Sequence, residues 1–279
     1  MLMEQVIVTG SSKGLGYALA EHFLALGDDV VISSRSSEAC NEAAKRLAAL
    51  HPQRRVRAFA GDVREAGSME ALATFTAKEL GGLDVWVNNA GASQAPKAAL
   101  VDSEPSILQG IVDTNLTGAL FGSRAALREM ARHDAGGRVF LVDGTGAWGN
   151  PTPGNVAYGA TKRALTQLKE SLVAETRRTK VAVHLVSPGM VATDLLLAGP
   201  HSESAKRIIN VLAEDAAAVA AWLVPRMRGV AGNGRHFKYL TARGALWRFL
   251  TASRRRGRFL PEASARRMAS TPSSGSKTE

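Results

Sequence analysis

A chain of 279 residues, 45% hydrophobic and 22% charged, fits one large α/β domain with a sizeable core and has an ordinary soluble composition. The formal charge of +10 implies an anionic partner, whether a phosphate-bearing cofactor, an acidic substrate, a lipid surface or nucleic acid. The single cysteine, Cys40, excludes an internal disulfide and a cysteine-based metal cluster, and no metal is expected. The longest strongly apolar stretch, about Ala216 to Val224, is roughly half of a bilayer crossing, so no transmembrane helix is expected. Nothing resembling a signal or transit segment precedes the first strand, which points to a cytosolic protein or a trimmed mature form.

Short apolar runs alternate with longer stretches whose apolar residues recur every three or four positions. Strands are predicted over Gln5–Thr9, Asp29–Ser33, Arg55–Ala60, Leu83–Asn88, Arg138–Val142, Val181–Val186 and His236–Leu240, and helices over segments such as Leu15–Leu26 and Ser37–Leu50. Strand, helix and strand repeated in this way imply a doubly wound parallel sheet of the Rossmann type, with helices on both faces and the ligand beyond the carboxyl ends of the strands.

The first strand runs into Thr9-Gly10-Ser11-Ser12-Lys13-Gly14-Leu15-Gly16 and then a helix. Glycines there permit a tight turn and close approach of backbone to a pyrophosphate, and the helix N-terminus favours that charge; a plain structural turn is the alternative. The second strand ends in Ser33-Ser34-Arg35-Ser36, with no carboxylate before Glu38 to bind a free ribose hydroxyl. Arg35 can pair with a 2′-phosphate, and Lys13 can approach the same charge, which reads as NADPH preference. Ordinary surface cations are the other reading. Asp62-Val63 follows the third strand, Asn88-Asn89-Ala90-Gly91 closes the fourth, and Asn115 lies inside a helical pattern. In Tyr158-Gly159-Ala160-Thr161-Lys162 the four-residue spacing puts phenol and ammonium on one helix face. A nearby ammonium, with a cationic nicotinamide when the cofactor is oxidised, lowers the phenol pKa and makes Tyr158 a useful acid or base near neutral pH.

Together these elements resemble the short-chain dehydrogenase/reductase family over roughly residues 4 to 240. The resemblance also takes in Pro188, Gly189, Val191 and Thr193 after the sixth strand. It implies that Tyr158 donates the proton, that Lys162 holds the nicotinamide ribose and tunes the tyrosine, and that Asn115 supports a water relay. Asp62, Val63 and Asn89-Ala90-Gly91 would line the adenine and ribose, and Pro188, Gly189, Val191 and Thr193 the nicotinamide end. One departure stands out: the family usually has a serine thirteen residues before the tyrosine, and here Thr145 takes that place. Its hydroxyl can orient the carbonyl, or the role has shifted.

Within the family, Thr9–Leu19, Asp143–Gly149, Tyr158–Arg163, Ser187–Leu196, Ile209–Pro225 and Phe237–Leu250 are similar to the chlorophyll b reductase branch. That similarity implies reduction of the C7 formyl group of chlorophyll b or chlorophyllide b to hydroxymethyl. It also implies a chloroplast setting, thylakoid surface or stroma, if the source is a plant or alga, and cytoplasm otherwise. A flat macrocycle needs an apolar slot. The segment after Pro188, a lid over about 190–215 with Leu195 and Leu196, can supply one, and Trp148 an aromatic wall; ordinary core packing explains both as well. From Thr241 to about residue 270 an arginine-rich extension carries Leu246, Trp247, Phe249 and Leu250, read either as an amphipathic membrane-surface segment or as a packed arm with a basic face. Residues 271–279 read as a disordered tail. Nucleic-acid binding is not expected, because no recognised module is present. A homo-oligomer or a pigment–protein complex is the expected assembly. Another hydrophobic aldehyde or ketone as substrate, and a non-catalytic cofactor-bound scaffold, are the competing readings.

Overall fold

The computed structural model describes residues 3–262 except 134, so the tail at 271–279 and the end of the basic extension lie outside the described residues. Seven strands form one parallel sheet in the order β3-β2-β1-β4-β5-β6-β7: β1 (Gln5–Thr9), β2 (Asp29–Ser34), β3 (Val56–Ala60), β4 (Val85–Asn88), β5 (Gly137–Val142), β6 (Val181–Ser187) and β7 (His236–Lys238). The strand order reverses between β1 and β4, and a doubly wound sheet opens its binding crevice at such a point.

Alternation along each strand sends side chains to two separate cores. On one face Val6, Val8, Val30, Ile32, Val85 and Val87 meet Leu19 and Phe23 of α1 (Gly14–Ala25), Leu47 of α2 (Ser37–Leu50) and Leu223 of α9 (Ala216–Arg228). On the other, Ile7, Val31 and Trp86 meet Met69 and Leu72 of α3 (Ala66–Leu80), Ala126 and Met130 of α5 (Gly118–Met130) and Leu172 of α6 (Val156–Glu175). A fully buried side chain of this kind contributes about 1.5–3 kcal/mol. Since a one-residue slip would exchange the two faces, this pattern fixes the β1–β2 register that pairs Gln5 with Asp29 and Thr9 with Ser33.

Helix α4 (Pro105–Val112) continues into α5 through a π turn, Asp113–Thr117. The turn widens the helix by a residue and buries Asn115; such bulges occur often at functional sites. After β6 come α7 (Asp194–Leu197) and α8 (Glu203–Leu212), within the segment expected as a lid, and after β7 comes α10 (Ala242–Leu250). Among the described residues no helix is long and apolar enough to cross a membrane.

Candidate active site

The carboxyl ends of the strands open into a cleft of about 970 Å³. Its floor is backbone. Gly10 has φ +65° and a Cβ there would fall 2.9 Å from Ala90 Cα, while a Cβ on Gly16 would fall 2.4 Å from the Gly10 carbonyl. Only glycine fits these two places, and the result is a shallow cradle of main chain at the start of α1, the arrangement that accepts a pyrophosphate. Ser12, Lys13, Gly14 and Leu15 border the same cleft. Asn89 is a stitch rather than a free contact: its amide donates to the Thr9 carbonyl at 2.9 Å and to the Gly10 carbonyl at 3.3 Å. The Thr9 hydroxyl receives the Asn89 and Ala90 N–H groups, each at 3.1 Å. The ends of β1 and β4 are thereby locked, leaving Ala90 and Gly91 to line the opening.

At the far end lie Arg35, Asp62 and Val63. Asp62 is engaged by Arg64, whose Nε sits 2.9 and 3.0 Å from the two carboxylate oxygens. That hydrogen bonding, outweighing partial burial, holds Asp62 below the usual carboxylate range, with Arg35 adding to the effect. Arg64 is a cation the sequence did not single out. Lys13 does not turn toward this end in the structure. Its ammonium pairs with Asp194 of α7 at 2.7 Å, both side chains mostly exposed, so the contact joins glycine loop to lid at little energetic gain. Ser33, buried beside the cleft, has a hydroxyl without a partner among the described residues.

The expected reacting pair, Tyr158 and Lys162, stands on α6. Lys162 is 4% exposed and its Nζ donates to the Val142 carbonyl at 2.9 Å and lies 5.5 Å from the Tyr158 ring centre. Burial draws the ammonium down to about 8, against the opposing charge of Asp143. Burial first, and then the Asp143 carboxylate, push the Tyr158 phenol up to about 12. Thr145 is exposed and lines the cleft with Tyr158. Asn115 lies just beneath, in a small cavity shared with Lys162 and Val142. Its side-chain oxygen accepts from Ala92 N–H at 2.7 Å, and its amide donates to the Ala92 carbonyl at 3.0 Å and to Thr161 Oγ1 at 3.1 Å. The π turn is what aims it there.

Pro188, Gly189, Val191 and Thr193 line the other end, with Leu195 and Leu196 above them. Trp148 does not join this wall. Its indole stacks on His236 at 4.7 Å with Lys238 Nζ 3.9 Å from the ring centre, outside the cleft. The loop after β5 turns toward β7, a direction that the sequence does not specify. Missed by sequence are the proline- and asparagine-bearing rims: Asn155 donates to Ser93 Oγ at 2.8 Å and accepts from Gln94 N–H at 3.3 Å, tying two loops across the entrance. Asp143 was missed too, since a lone acid at a strand end carries no spacing signal.

The C-terminal arm is anchored rather than loose over its described length. Arg248, Arg255 and Arg258 converge on Glu214 at 3.0, 3.0 and 2.6 Å. Burial would raise the Glu214 pKa, but Arg258 and Arg255 outweigh it and hold it low. Glu214 is bridged to Val191 and accepts at its carbonyl from Ala192 N–H at 2.9 Å, so the arm braces the segment that follows β6. Leu246, Trp247 and Leu250 of α10 stay 62%, 66% and 71% exposed.

This sheet, glycine cradle and tyrosine–lysine pair define a nucleotide-dependent oxidoreductase, and a family model for short chain dehydrogenases matches residues 4–202; the chain belongs to the short-chain dehydrogenase/reductase family. A chloroplastic chlorophyll(ide) b reductase of Oryza sativa subsp. japonica is 42% identical over 231 residues, 82% of this chain and 67% of its own length. A probable chlorophyll(ide) b reductase of Arabidopsis thaliana, also chloroplastic, is 40% identical over 272 residues, 92% of this chain and 54% of its own length. The chain thus spans between about half and two thirds of these relatives. A 3alpha-hydroxysteroid dehydrogenase of Mediterraneibacter gnavus is 30% identical over 203 residues, 72% of this chain and 80% of its own length. Among solved structures, a short chain dehydrogenase from Burkholderia cenocepacia in complex with NADP superposes with a TM-score of 0.72 at 26% identity, covering 84% of this chain and 96% of that one.

Proposed function

We propose that this protein reduces the C7 formyl group of chlorophyll b or chlorophyllide b to hydroxymethyl, using NADPH. The observation that carries the reading is the 42% identity to a chlorophyll(ide) b reductase across 82% of the chain, against 30% for the steroid enzyme.

The cleft fits the cofactor: a main-chain cradle that any Cβ would fill, an unpartnered buried hydroxyl at Ser33 and the guanidinium of Arg35. Gly10, Ser12, Gly14 and Gly16 would hold the pyrophosphate, Arg35 the 2′-phosphate, Ala90 and Gly91 the ribose side, and Pro188, Gly189, Val191 and Thr193 the nicotinamide end. When bound, NADPH supplies the hydride that reaches the formyl carbon. The protein's own part is to orient the carbonyl and provide the proton. Tyr158, a phenol held firmly protonated, delivers its proton to the formyl oxygen. Lys162 would hold the cofactor ribose and would offset negative charge as the phenol gives up its proton. Thr145 Oγ1 donates a hydrogen bond that fixes the oxygen, and Asn115 holds the Ala92 turn against α6 so that the relay beneath Lys162 keeps its shape. Leu195 and Leu196 shield one face of the ring and exclude water.

The exposed apolar ridge of α10, flanked by the exposed Arg243, Arg254 and Arg256, suits contact with an anionic membrane surface that holds the pigment. The steroid-enzyme likeness supports a second reading, another apolar ketone or aldehyde in the same slot. A side-by-side measurement of kcat/KM for chlorophyllide b, a steroid ketone and a long-chain aldehyde separates the two. The pigment is expected to lead by at least about 100-fold; a steroid or aldehyde in the lead would refute the pigment reading.

A further inference from the structure

Of the two residues flanking Asp143, one accepts a hydrogen bond from Lys162 and the other packs closely against Tyr158. The Val142 carbonyl receives Lys162 Nζ at 2.9 Å. Gly144 lies so close to Tyr158 that a Cβ there would fall 2.2 Å from the phenol oxygen. Asp143 therefore stands between the lysine's anchor and the tyrosine's hydroxyl, at the end of β5, with a side chain 2% exposed. It is held from the opposite side. Its N–H donates to the Val186 carbonyl at 2.9 Å, and its Oδ2 accepts from Ser187 Oγ at 2.5 Å. The serine's one proton is used in that bond, so in the 2.7 Å contact with His236 Nε2 the imidazole is the donor. The chain His236 to Ser187 to Asp143 thus fixes a carboxylate beside the reacting pair without bonding it to either member. An asparagine at this place could accept the same serine hydrogen bond without carrying charge.

We propose that Asp143 is a positioning residue whose negative charge keeps Tyr158 and Lys162 in their protonated forms, biasing the site toward giving a proton rather than taking one. The inference rests on the reading of Tyr158 and Lys162 as the reacting pair, but not on which carbonyl they serve. A fixed carboxylate opposes formation of a phenolate and opposes loss of a proton from an ammonium, so both effects have the same sign. Reduction needs both groups protonated. The groups that face Asp143 are Tyr158 and Lys162 from α6, Ser187 from β6, His236 and Lys238 from β7, and Trp148 from the intervening loop. Burial pushes Asp143 up to about 6, against Ser187, Lys162, Lys238 and Trp148, so the charge is in place at neutral pH and above. His236, drawn down to about 4 by burial and then Lys238, is neutral there and adds no competing cation.

Asp143→Asn removes the charge and keeps the shape. Titrating the phenolate absorbance of the full chain, with Tyr158→Phe subtracted to isolate one tyrosine, is expected to show Tyr158 ionising about one pH unit lower in Asp143→Asn. The alkaline fall of carbonyl reduction should move down with it, and Asp143→Glu should restore the original position. If the titration is unchanged and the rate is scaled evenly at every pH, Asp143 is a strut and the proposal is overturned. Should Asp143→Asn not fold, Asp143→Ser, smaller and equally neutral, is expected to give the same shift, and its absence is equally fatal. The titration needs no carbonyl substrate, so a protein that fails to reduce chlorophyll b would refute the pigment reading while leaving this one to be decided on its own result.

Discussion

Tyr158 sits in surroundings that resist its ionisation, burial first and then the Asp143 carboxylate. Replacing it with phenylalanine keeps the ring and removes the proton. Turnover should fall roughly 100- to 10,000-fold with the NADPH dissociation constant nearly unchanged, as steady-state kinetics and a fluorescence titration would show; loss of both together would mean damage to the fold. Arg35 should make a charge-assisted pair with the 2′-phosphate. Arg35→Asp should weaken NADPH by about 10- to 100-fold and leave NADH little affected, and an unchanged ratio of the two affinities would remove Arg35 from the cofactor site. At this scale the sequence was informative where spacing encodes geometry. Tyr158 and Lys162 share a helix face because four residues make about one turn, and Gly10 and Gly16 are legible because only glycine fits their close approaches. It was uninformative where direction depends on tertiary packing. Trp148 turns to His236, Lys13 to Asp194, and Asp143 gains its place only when β5, β6 and β7 lie side by side.

At the scale of elements, strand boundaries fell within two residues of the expected ones, because parallel strands buried on both faces read as continuous apolar runs. The π turn at Asp113–Thr117 was not legible: one extra residue in a helical ring leaves no periodic trace over so short a span. Two elements carry predictions. In β6, His184 is fully buried, stacks on Phe140 at 5.1 Å and accepts at Nδ1 from Arg235 N–H at 3.2 Å. Burial first, then nearby arginines, draws it down to about 4. Because the folded pKa lies below the unfolded one, stability from this group is present above about 6.5 and is lost as pH falls toward 4. Between about pH 7.5 and about pH 5 the loss should be about 2 kcal/mol, and His184→Gln should abolish that share. Asp28 and Asp143, each raised to about 6, act in the opposite sense, so the test is the difference between variant and wild type in urea melts. In the second element, Glu214 holds three arginines of the arm. Glu214→Gln should cost about 3 kcal/mol and expose the arm to limited proteolysis, with a rise in KM as the lid root at Val191 loosens; unaltered proteolysis would show that the arginines are not what braces it.

For the whole molecule, the charge of +10 divides into parts with different work. Arg35 lines the cleft, Arg64 pairs with Asp62, Arg248, Arg255 and Arg258 pair with Glu214, and Arg243, Arg254 and Arg256 stay exposed beside the α10 ridge. Truncating the arm would therefore disturb the lid and confuse the question of membrane contact. The cleaner substitution is Trp247→Glu with Leu250→Glu, which leaves the Glu214 cluster intact. It should reduce binding to anionic vesicles at least tenfold, roughly the loss of one buried apolar side chain, and leave reduction of a dispersed substrate unchanged; vesicle binding equal to wild type would dismiss the ridge as a membrane contact. The central claim is tested most directly by incubating the full chain with NADPH and chlorophyllide b, and identifying the pigment that forms. The hydroxymethyl derivative is expected, in step with NADPH consumed, and almost none from Tyr158→Phe. A pigment whose formyl group survives, or equal conversion by the tyrosine variant, would contradict it.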